Sequence, residues 1–284
     1  MLKKVSIKCP SCSTKGDIQI ADDFIKNTSR GLLAVNITKD LICSHSFIAY
    51  IDKNLNVRDY FIADFCFEIP EIPIERFEET KEKFLFKKTF DIDLIKLNLP
   101  PTQLSFILKA IFSKQKVMII SNQDFLYGHL HDFFKYISYN SFQIDINFIS
   151  EEEYNQNKKK YKDSMVFHGI YIVNNVKKII NPKKLFFEKL IVNSFFSNNQ
   201  LELTYIIFRN EILKIYKLSK SIVEFINDSK KKNEEVNILK IGNQLESEYH
   251  IKINTAYLSF LIDIVKDYFK VEVPRVRDSF IRSF

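Results

Sequence analysis

The pattern of apolar and polar residues divides the chain into a β-rich beginning, a middle of alternating helices and strands, and a helical end. In the first part, β-branched and aromatic residues gather in short segments that predict strands. These segments are residues 4–8, 16–20, 32–37, 41–51 and 57–67. The polar run at residues 52–56 has the length and composition of a hairpin turn.

The middle of the chain begins with a helix and a short strand. Residues 102–112 are apolar at helical spacing, and the apolar run at residues 116–120 has the length of a strand. A second helix follows, for which Ser121 or Asn122 can serve as the N-cap. Residues 142–149 then alternate apolar and polar positions, which predicts a strand that is covered on one face.

The rest of the middle part predicts one more helix and two more strands. Ser150 and Glu153 form a capping box, which marks the start of a polar helix. Residues 165–173 and 176–180 have the composition of strands on either side of a turn at residues 174–175. Because strands that alternate with helices usually pair in parallel, this part predicts an α/β sheet.

After Pro182 the apolar spacing becomes helical. Residues 203–208 could instead form an edge strand. The predicted helices are residues 185–196, 201–226, 236–249 and 255–269.

We therefore predict a mixed α/β (α+β) fold built from several modules. A small β-rich domain occupies residues 1–70, and a linker with room for one helix occupies residues 71–100. A central α/β core follows at residues 101–181, and residues 182–284 form a helical C-terminal region.

Composition indicates a globular protein and argues against several functions. Apolar residues make up 46% of the 284-residue chain, enough for a core that folds without disulfides. Neither GxGxxG nor GxxxxGK[ST] occurs, so the chain lacks these phosphate-binding motifs. No apolar run reaches the length of a membrane span, and the N-terminus has no signal-peptide core. We expect a cytoplasmic protein without a membrane span.

The formal net charge of +7 is compatible with a nucleic-acid or anionic-membrane partner. Acidic residues are interspersed along the chain, however, and abundant Lys, Asn, Ile and Phe are typical of AT-rich coding sequences. We therefore interpret the charge as a lysine-rich solvated surface, with nucleic acid as the less favoured partner.

Two pairs of soft ligands near the N-terminus predict a zinc site. Cys9 and Cys12 form a CPxC knuckle, whose backbone turns both sulfurs to one side. Cys43 and His45 follow as a CxH pair, and residues i and i+2 of a strand point to the same face. They can therefore chelate if the segment is extended. Cys66 is the alternative fourth ligand.

Four protein ligands leave no open coordination position, so the predicted Zn²⁺ is structural rather than catalytic. The alternative interpretation treats Cys43 and Cys66 as small core residues and His45 as a surface residue. The first quarter of the chain resembles zinc ribbons, although those usually carry CxxC as the second pair. The segments at residues 31–33, 43–47, 52–54 and 57–58 are similar to uncharacterised archaeal zinc-ribbon proteins, which implies an archaeal source and no established activity.

Other candidates for chemistry have simpler explanations. His129 and His131 flank Leu130 on a predicted helix, where residues two apart point about 200° apart and cannot share an ion. His168 has no nucleophile with a motif of its own beside it. Residues 151–153 are acidic because they begin a helix. We therefore predict no catalytic or cofactor-binding residues, and a protein that is not an enzyme.

Residues 241–258 resemble a helix-turn-helix in outline, which together with a zinc ribbon implies an archaeal transcription factor. The second helix argues against DNA because carboxylates would face the phosphates. Its predicted exposed residues are Thr255, Ser259, Asp263, Lys266 and Asp267.

The middle of the chain resembles the central part of DENN modules. The residues that carry this likeness are 104–111, 116–121, Val166 and 172–173. It implies a regulator or scaffold that acts with a small GTPase, although the connections are short and an upstream longin-like half is missing. We predict a non-catalytic protein-interaction or regulatory protein whose partner is another protein, with DNA binding as the alternative.

Overall fold

The fold is a mixed α+β arrangement with several small sheets and a helical C-terminal part, which confirms the predicted class. Cys66 and most of the predicted linker lie outside the described residues. The computed structural model describes residues 2–21, 32–37, 40–62, 90–197 and 201–273.

The N-terminal strands form an antiparallel hairpin, β1–β2, and an antiparallel three-stranded sheet in the order β3–β4–β5. Residues 41–46, predicted as part of a strand, instead form bends that precede β4. The strands are β1 Leu2–Lys8, β2 Lys15–Ala21, β3 Leu32–Ile37, β4 Phe47–Asp52 and β5 Val57–Ile62.

A small apolar core joins the hairpin to the three-stranded sheet. Alternate residues of each strand point inward, so one face of each sheet is apolar. Cys9, directly after β1, is fully buried in the same cluster. The other buried members are Val5, Ile7, Ile18, Ile20, Ile37, Phe47, Ala49 and Ile51.

The polar run at residues 52–56 forms the predicted turn between β4 and β5, and this turn is built around a buried carboxylate. Oδ1 of Asp52 accepts hydrogen bonds from the backbone N–H groups of Asn54 (2.9 Å) and Asn56 (2.8 Å). Nε of Arg58 donates to Oδ2 of Asp52 at 2.7 Å. These bonds close the turn and hold down the pKa of Asp52 against the effect of its burial.

The central sheet has the strand order β7–β6–β8–β9, with β6 parallel to β7 and β8 and with β9 antiparallel to β8. All four residues of β6 are buried, as its unbroken apolar pattern predicts. Val117 and Ile119 join the main core, and Met118 and Ile120 join a smaller cluster on the other face. The strands are β6 Val117–Ile120, β7 Ile146–Ile149, β8 Met165–His168 and β9 Tyr171–Asn174.

Helices cover the sheet and make up the C-terminal part. Residues 203–208 are helical, so the edge-strand alternative is wrong. The helices are α1 Ile92–Asn98, α2 Pro101–Phe112, α3 Phe125–Ile137, α4 Glu151–Asn157, α5 Phe186–Ser197, α6 Leu201–Lys231, α7 Ile238–Tyr249 and α8 Thr255–Asp267.

The hairpin turn of the central sheet lies earlier than its sequence indicated. Gly169, at φ +54°, turns the chain between β8 and β9, where its lack of a Cβ makes this conformation cheap. Asn174 is instead the last residue of β9. Its side chain donates hydrogen bonds to backbone carbonyls of a neighbouring loop. The predicted strand at residues 176–180 begins instead with the 3-10 turn Val176–Lys178.

Two further local predictions differ from the structure. Only Ile146–Ile149 of the alternating run 142–149 pairs as a strand. Helix α3 begins at Phe125 without a side-chain cap, since Oδ1 of Asn122 accepts from the N–H of Glu151 instead. The Ser150 cap of α4 is confirmed: its hydroxyl oxygen accepts from the N–H of Glu153 at 3.0 Å.

Side-chain hydrogen bonds at two residues of the β-rich part, Asp59 and Tyr50, help to join it to the helices. The carboxylate of Asp59 on β5 accepts hydrogen bonds from the backbone N–H of Thr102 (2.7 Å) and from its hydroxyl (3.0 Å) at the start of α2. Tyr50 on β4 is buried and donates from its hydroxyl to Oδ1 of Asn193 on α5 at 2.9 Å. The buried carboxylate therefore satisfies an N–H group at the N-terminus of a helix from another element.

A buried carboxyl in α5 makes stability depend on pH. Glu188 is 2% exposed, and burial raises the pKa of its carboxyl from 4.5 to about 7; Lys109 opposes the increase and Asp263 adds to it. Between these two pKa values the folded protein keeps a proton that the unfolded chain loses. The free energy of unfolding therefore falls as pH rises through this window, by an amount on the order of 3 kcal/mol from this group.

Glu188→Gln should remove that contribution, so its stability relative to the wild type should rise between about pH 4.5 and pH 7, the window that the two pKa values define. Urea denaturation at a series of pH values measures the difference. The exposed Glu234→Gln is the control and should run parallel to the wild type. A constant difference between Glu188→Gln and the wild type across the series would contradict the assignment.

Candidate metal centre

The first ligand pair lies in the turn between β1 and β2. The N–H of Cys9 donates to the carbonyl of Thr14 (2.8 Å), and the N–H of Ser13 donates to the carbonyl of Cys9 (2.9 Å). Ser13 adopts a left-handed conformation with φ +63°, which tightens the turn. The N–H of Ser11 points to Sγ of Cys9 at 3.4 Å. This backbone curls around the two sulfurs, as a metal knuckle requires.

The second pair lies in the bend that precedes β4. The N–H of Asp40 donates to the carbonyl of Cys43 at 2.8 Å, and Asp40 has φ +70°. Sγ of Cys43 and Nδ1 of His45 are 3.6 Å apart. The extended conformation predicted for this pair is therefore wrong. A bend brings the two side chains together where a flat strand would keep them parallel.

The two turns bring all four side chains to one place. The ligand atoms of Cys9, Cys12, Cys43 and His45 lie within 4.8 Å of one another, close enough to hold a metal ion. For a tetrahedral ion with ligands at about 2.0–2.3 Å, a nitrogen and a sulfur lie about 3.6 Å apart and two sulfurs about 3.8 Å apart. The Cys43–His45 distance already has the tetrahedral value, and small side-chain movements would complete the set.

The sulfurs differ in how readily they ionise. A hydrogen bond with the Thr14 side chain, 3.1 Å away, lowers the pKa of Cys12 from 9.0 to about 6. At Cys43 a backbone hydrogen bond at His45 lowers the pKa, but burial and the neighbouring sulfurs prevail and raise it from 9.0 to about 11. Such mutual effects are expected when several thiols share one small space.

Gly16 allows the two ligand turns to approach each other. A Cβ at Gly16 would lie 2.9 Å from both Cγ1 and Cγ2 of Ile42, which directly precedes Cys43. These atoms are next to the Ile42 backbone, so they cannot move away without shifting the bend. Sequence inspection missed both this glycine and Thr14; the position of each beside the CPxC knuckle was the available signal.

Gly16→Ala should push the Cys43–His45 bend away from the knuckle. We expect zinc to bind about tenfold more weakly or worse, the usual effect of displacing the supports of a metal ligand. Competition with a chromophoric chelator measures this. Gly128→Ala, where an added Cβ has nothing within 4 Å, is the matched control and should bind zinc like the wild type. Equal affinity of the two variants would contradict the role of Gly16.

The histidines outside this centre take other positions. Nδ1 of His129 accepts a hydrogen bond from the N–H of Asp91 at 3.3 Å, and His131 is exposed on the same helix. His168 is exposed at the end of β8. Within the described ranges, the Cys9–His45 group is the one set of three or more His, Cys, Asp or Glu residues that could hold a metal.

The outer face of α8 has the composition expected from sequence. Its apolar residues are buried against the main core. Asp263 and Lys266 are exposed, and Asp267 lies 3.8 Å from Nζ of Lys109 on α2. This face therefore presents carboxylates beside its single lysine.

Comparison of the chain with protein-family models, curated proteins and solved structures found no match. The resemblances to archaeal zinc ribbons and to DENN modules stay predictions. None of the described helices combines the length and the apolar character that crossing a membrane requires.

Proposed function

We propose that this chain is a non-catalytic binding protein whose N-terminal β-rich module is stabilised by a structural zinc ion. The observation that carries the proposal is the convergence of three sulfurs and one imidazole nitrogen within 4.8 Å. Soft thiolates with one imidazole are a typical donor set for Zn²⁺. Cys9, Cys12, Cys43 and His45 would occupy all four positions of a tetrahedral ion, which leaves none for a substrate.

The zinc would link two parts of the module. Cys9 and Cys12 belong to the β1–β2 hairpin, whereas Cys43 and His45 lead into the three-stranded sheet. The apolar core between the hairpin and the three-stranded sheet is small among the described residues. A metal bound to both sheets would therefore supply much of the stability of the module. Cysteines can bind zinc only in their reduced form, which a reducing compartment maintains, and we propose that the protein works in the cytoplasm.

The partner is proposed to be another protein. The DENN resemblance makes a small GTPase the first partner to test. We do not favour duplex DNA at α8, because Asp263 and Asp267 on its outer face would repel phosphates.

Replacement of zinc by Co²⁺ tests whether the four protein ligands leave a coordination position open. We expect one cobalt per chain, with the intense visible bands of a tetrahedral site and sulfur-to-metal charge transfer. Added azide or cyanide should leave the spectrum unchanged because no position is open. A spectrum that changes with azide at millimolar concentration would indicate an open, catalytic-type site and contradict the proposal. Cys12→Ser removes one of the four ligands and is the control that should lose the cobalt spectrum.

A further inference from the structure

One stretch of the chain carries an unusual concentration of positive charge. Residues 158–184 contain eight lysines and a single acidic residue, Asp163. Their formal net charge of +7 equals that of the whole chain, so the remainder of the protein is neutral in sum. The lysines are Lys158, Lys159, Lys160, Lys162, Lys177, Lys178, Lys183 and Lys184.

All eight lysines are exposed, and none forms an ion pair with another described residue. Nζ of Lys158 and Nζ of Lys160 lie over the rings of Tyr154 and Tyr161, at 5.8 and 5.5 Å from the ring centroids. These contacts hold the two lysine side chains in place without neutralising their ammonium groups. Elsewhere in the described chain, several lysines pair with carboxylates, so the absence of such pairs here leaves an uncompensated positive surface.

Side-chain hydrogen bonds hold two of the lysine-bearing loops at the end of β9. Nδ2 of Asn174, the last residue of β9, donates to the carbonyls of Lys162 (2.9 Å) and Ser164 (2.8 Å). The loop that carries Lys158–Lys162 therefore lies against the strand end. Asn175 closes the following loop: its amide donates to the carbonyl of Ile180 at 2.8 Å and accepts from the Ile180 N–H at 3.1 Å. Lys177 and Lys178 lie inside that loop.

The strand beside these lysines presents apolar side chains to solvent. Tyr171 is 71% exposed and Val173 is 43% exposed, and both point away from the core. Strand β9 is at the edge of its sheet. Tyr171 is the first residue of β9 and Asn174, which holds the lysine loop, is the last, about 10 Å away along the strand. An exposed aromatic ring at this distance from several lysines suits single-stranded nucleic acid, since a base can stack on the ring while phosphates of neighbouring nucleotides meet the ammonium groups.

Two alternatives explain the surface less well. Lysines at the C-terminal end of α4 favour the helix dipole, but this accounts only for Lys158–Lys160. Addition of an acidic peptide as a new strand is hindered, because the register of β8 and β9 shifts and leaves Val173 without a partner. Such a bulge interrupts the edge that a strand would extend.

We propose that the exposed edge formed by β9 and the lysine loops at residues 158–184 binds single-stranded nucleic acid. Tyr171 would stack on a base, and the lysines would contact successive phosphates. This interface is distinct from the zinc centre and from the α7–α8 segment, and it goes beyond the proposed protein-binding function.

Fluorescence anisotropy tests whether these lysines bind the nucleic acid. The zinc-loaded full chain is titrated into a labelled oligothymidylate of about 15 nucleotides. The test variant replaces Lys162, Lys177 and Lys178 with Gln. We expect it to bind about tenfold more weakly and to lower the slope of log affinity against log salt by about 2, the value for three lost phosphate contacts.

The matched control replaces three exposed lysines of the helical region with Gln, namely Lys230, Lys232 and Lys252. It makes the same change in net charge and should bind like the wild type. An equal loss in both triple variants would show general charge attraction and overturn the proposal, as would no binding by the wild type at low salt.

The stacking contact has its own test. Tyr171→Ala should weaken binding about fivefold or more, whereas Tyr171→Phe should retain it because the ring remains. A duplex of the same length should bind more weakly than the single strand. Equal affinity for the duplex, or polyglutamate that competes as well as the oligonucleotide, would overturn the assignment to single-stranded nucleic acid. A negative result for nucleic-acid binding would not change the cobalt spectrum expected of the zinc site. The two proposals can therefore be rejected independently.

Discussion

Cys9→Ser is expected to abolish zinc binding and to unfold β1–β5 while the helices α2–α8 stay folded. Serine is a poor zinc ligand, and Cys9 is fully buried in the small core between the two N-terminal sheets. In small domains the binding energy of a structural zinc is folding energy, about 10–16 kcal/mol in zinc-finger peptides. Among the described residues this core contains nine buried side chains, which provide little free energy to replace that of the zinc.

Hydrogen exchange resolved by mass spectrometry measures this difference along the chain. Amides of β1 and β2 should exchange rapidly in Cys9→Ser, and those of α6 should keep wild-type protection. Ser11→Ala is the control inside the same knuckle: Ser11 is exposed and its backbone N–H, which contacts Sγ of Cys9, is retained. A metal-free Cys9→Ser protein with protected β1 and β2 amides would contradict a structural role for the ion.

Phe133→Ala is expected to lower the free energy of unfolding of the helical part by about 3–5 kcal/mol, the range for a buried Phe truncated to Ala. Phe133 is fully buried on α3. Its ring centroid lies 5.8 Å from that of Phe90, 5.7 Å from that of Phe195 and 6.1 Å from that of Phe208. These contacts join α3 to α5 and α6, so a cavity at this position would weaken several interfaces at once.

Phe125→Ala on the same helix is the matched control, because Phe125 is 67% exposed. It should change stability by less than about 0.5 kcal/mol, as surface substitutions usually do. Urea denaturation followed by far-ultraviolet circular dichroism measures both variants. A loss below about 1 kcal/mol for Phe133→Ala would mean that the aromatic cluster is packed differently.

The sequence predicted those parts of the fold where apolar spacing was unambiguous. The unbroken apolar run of β6 indicated burial on both faces, and its two faces do join two separate clusters. The C-terminal helices also follow their apolar spacing closely. Long periodic segments carry their own signal, because one face must be buried.

Local turns were harder to place because they depend on contacts with distant residues. Residues 174–175 are asparagines, which favour turns, but their amides bind carbonyls of other loops and Gly169 makes the turn. At the metal centre, residue types and spacing were sufficient to select Cys9, Cys12, Cys43 and His45. They did not reveal the bend at Cys43, which depends on the close approach of Ile42 to Gly16.

The charge pattern illustrates the same limit. Along the sequence, acidic residues scattered among the lysines indicated an ordinary solvated surface. The folded chain brings the lysine loops to the end of β9 through Asn174 and Asn175, which no spacing rule predicts. The lysines of residues 158–184 form one basic stretch in the sequence, and the structure adds that two of its loops meet at the end of β9.

Extended X-ray absorption fine structure at the zinc edge tests the four-ligand centre most directly, because it counts the atoms bound to the ion. We expect three sulfurs at about 2.3 Å and one nitrogen at about 2.0–2.1 Å, supplied by Cys9, Cys12, Cys43 and His45. His45→Ala should lose the nitrogen shell and keep the three sulfurs. A wild-type spectrum with four sulfurs, or with two sulfurs and bound water, would contradict this ligand set.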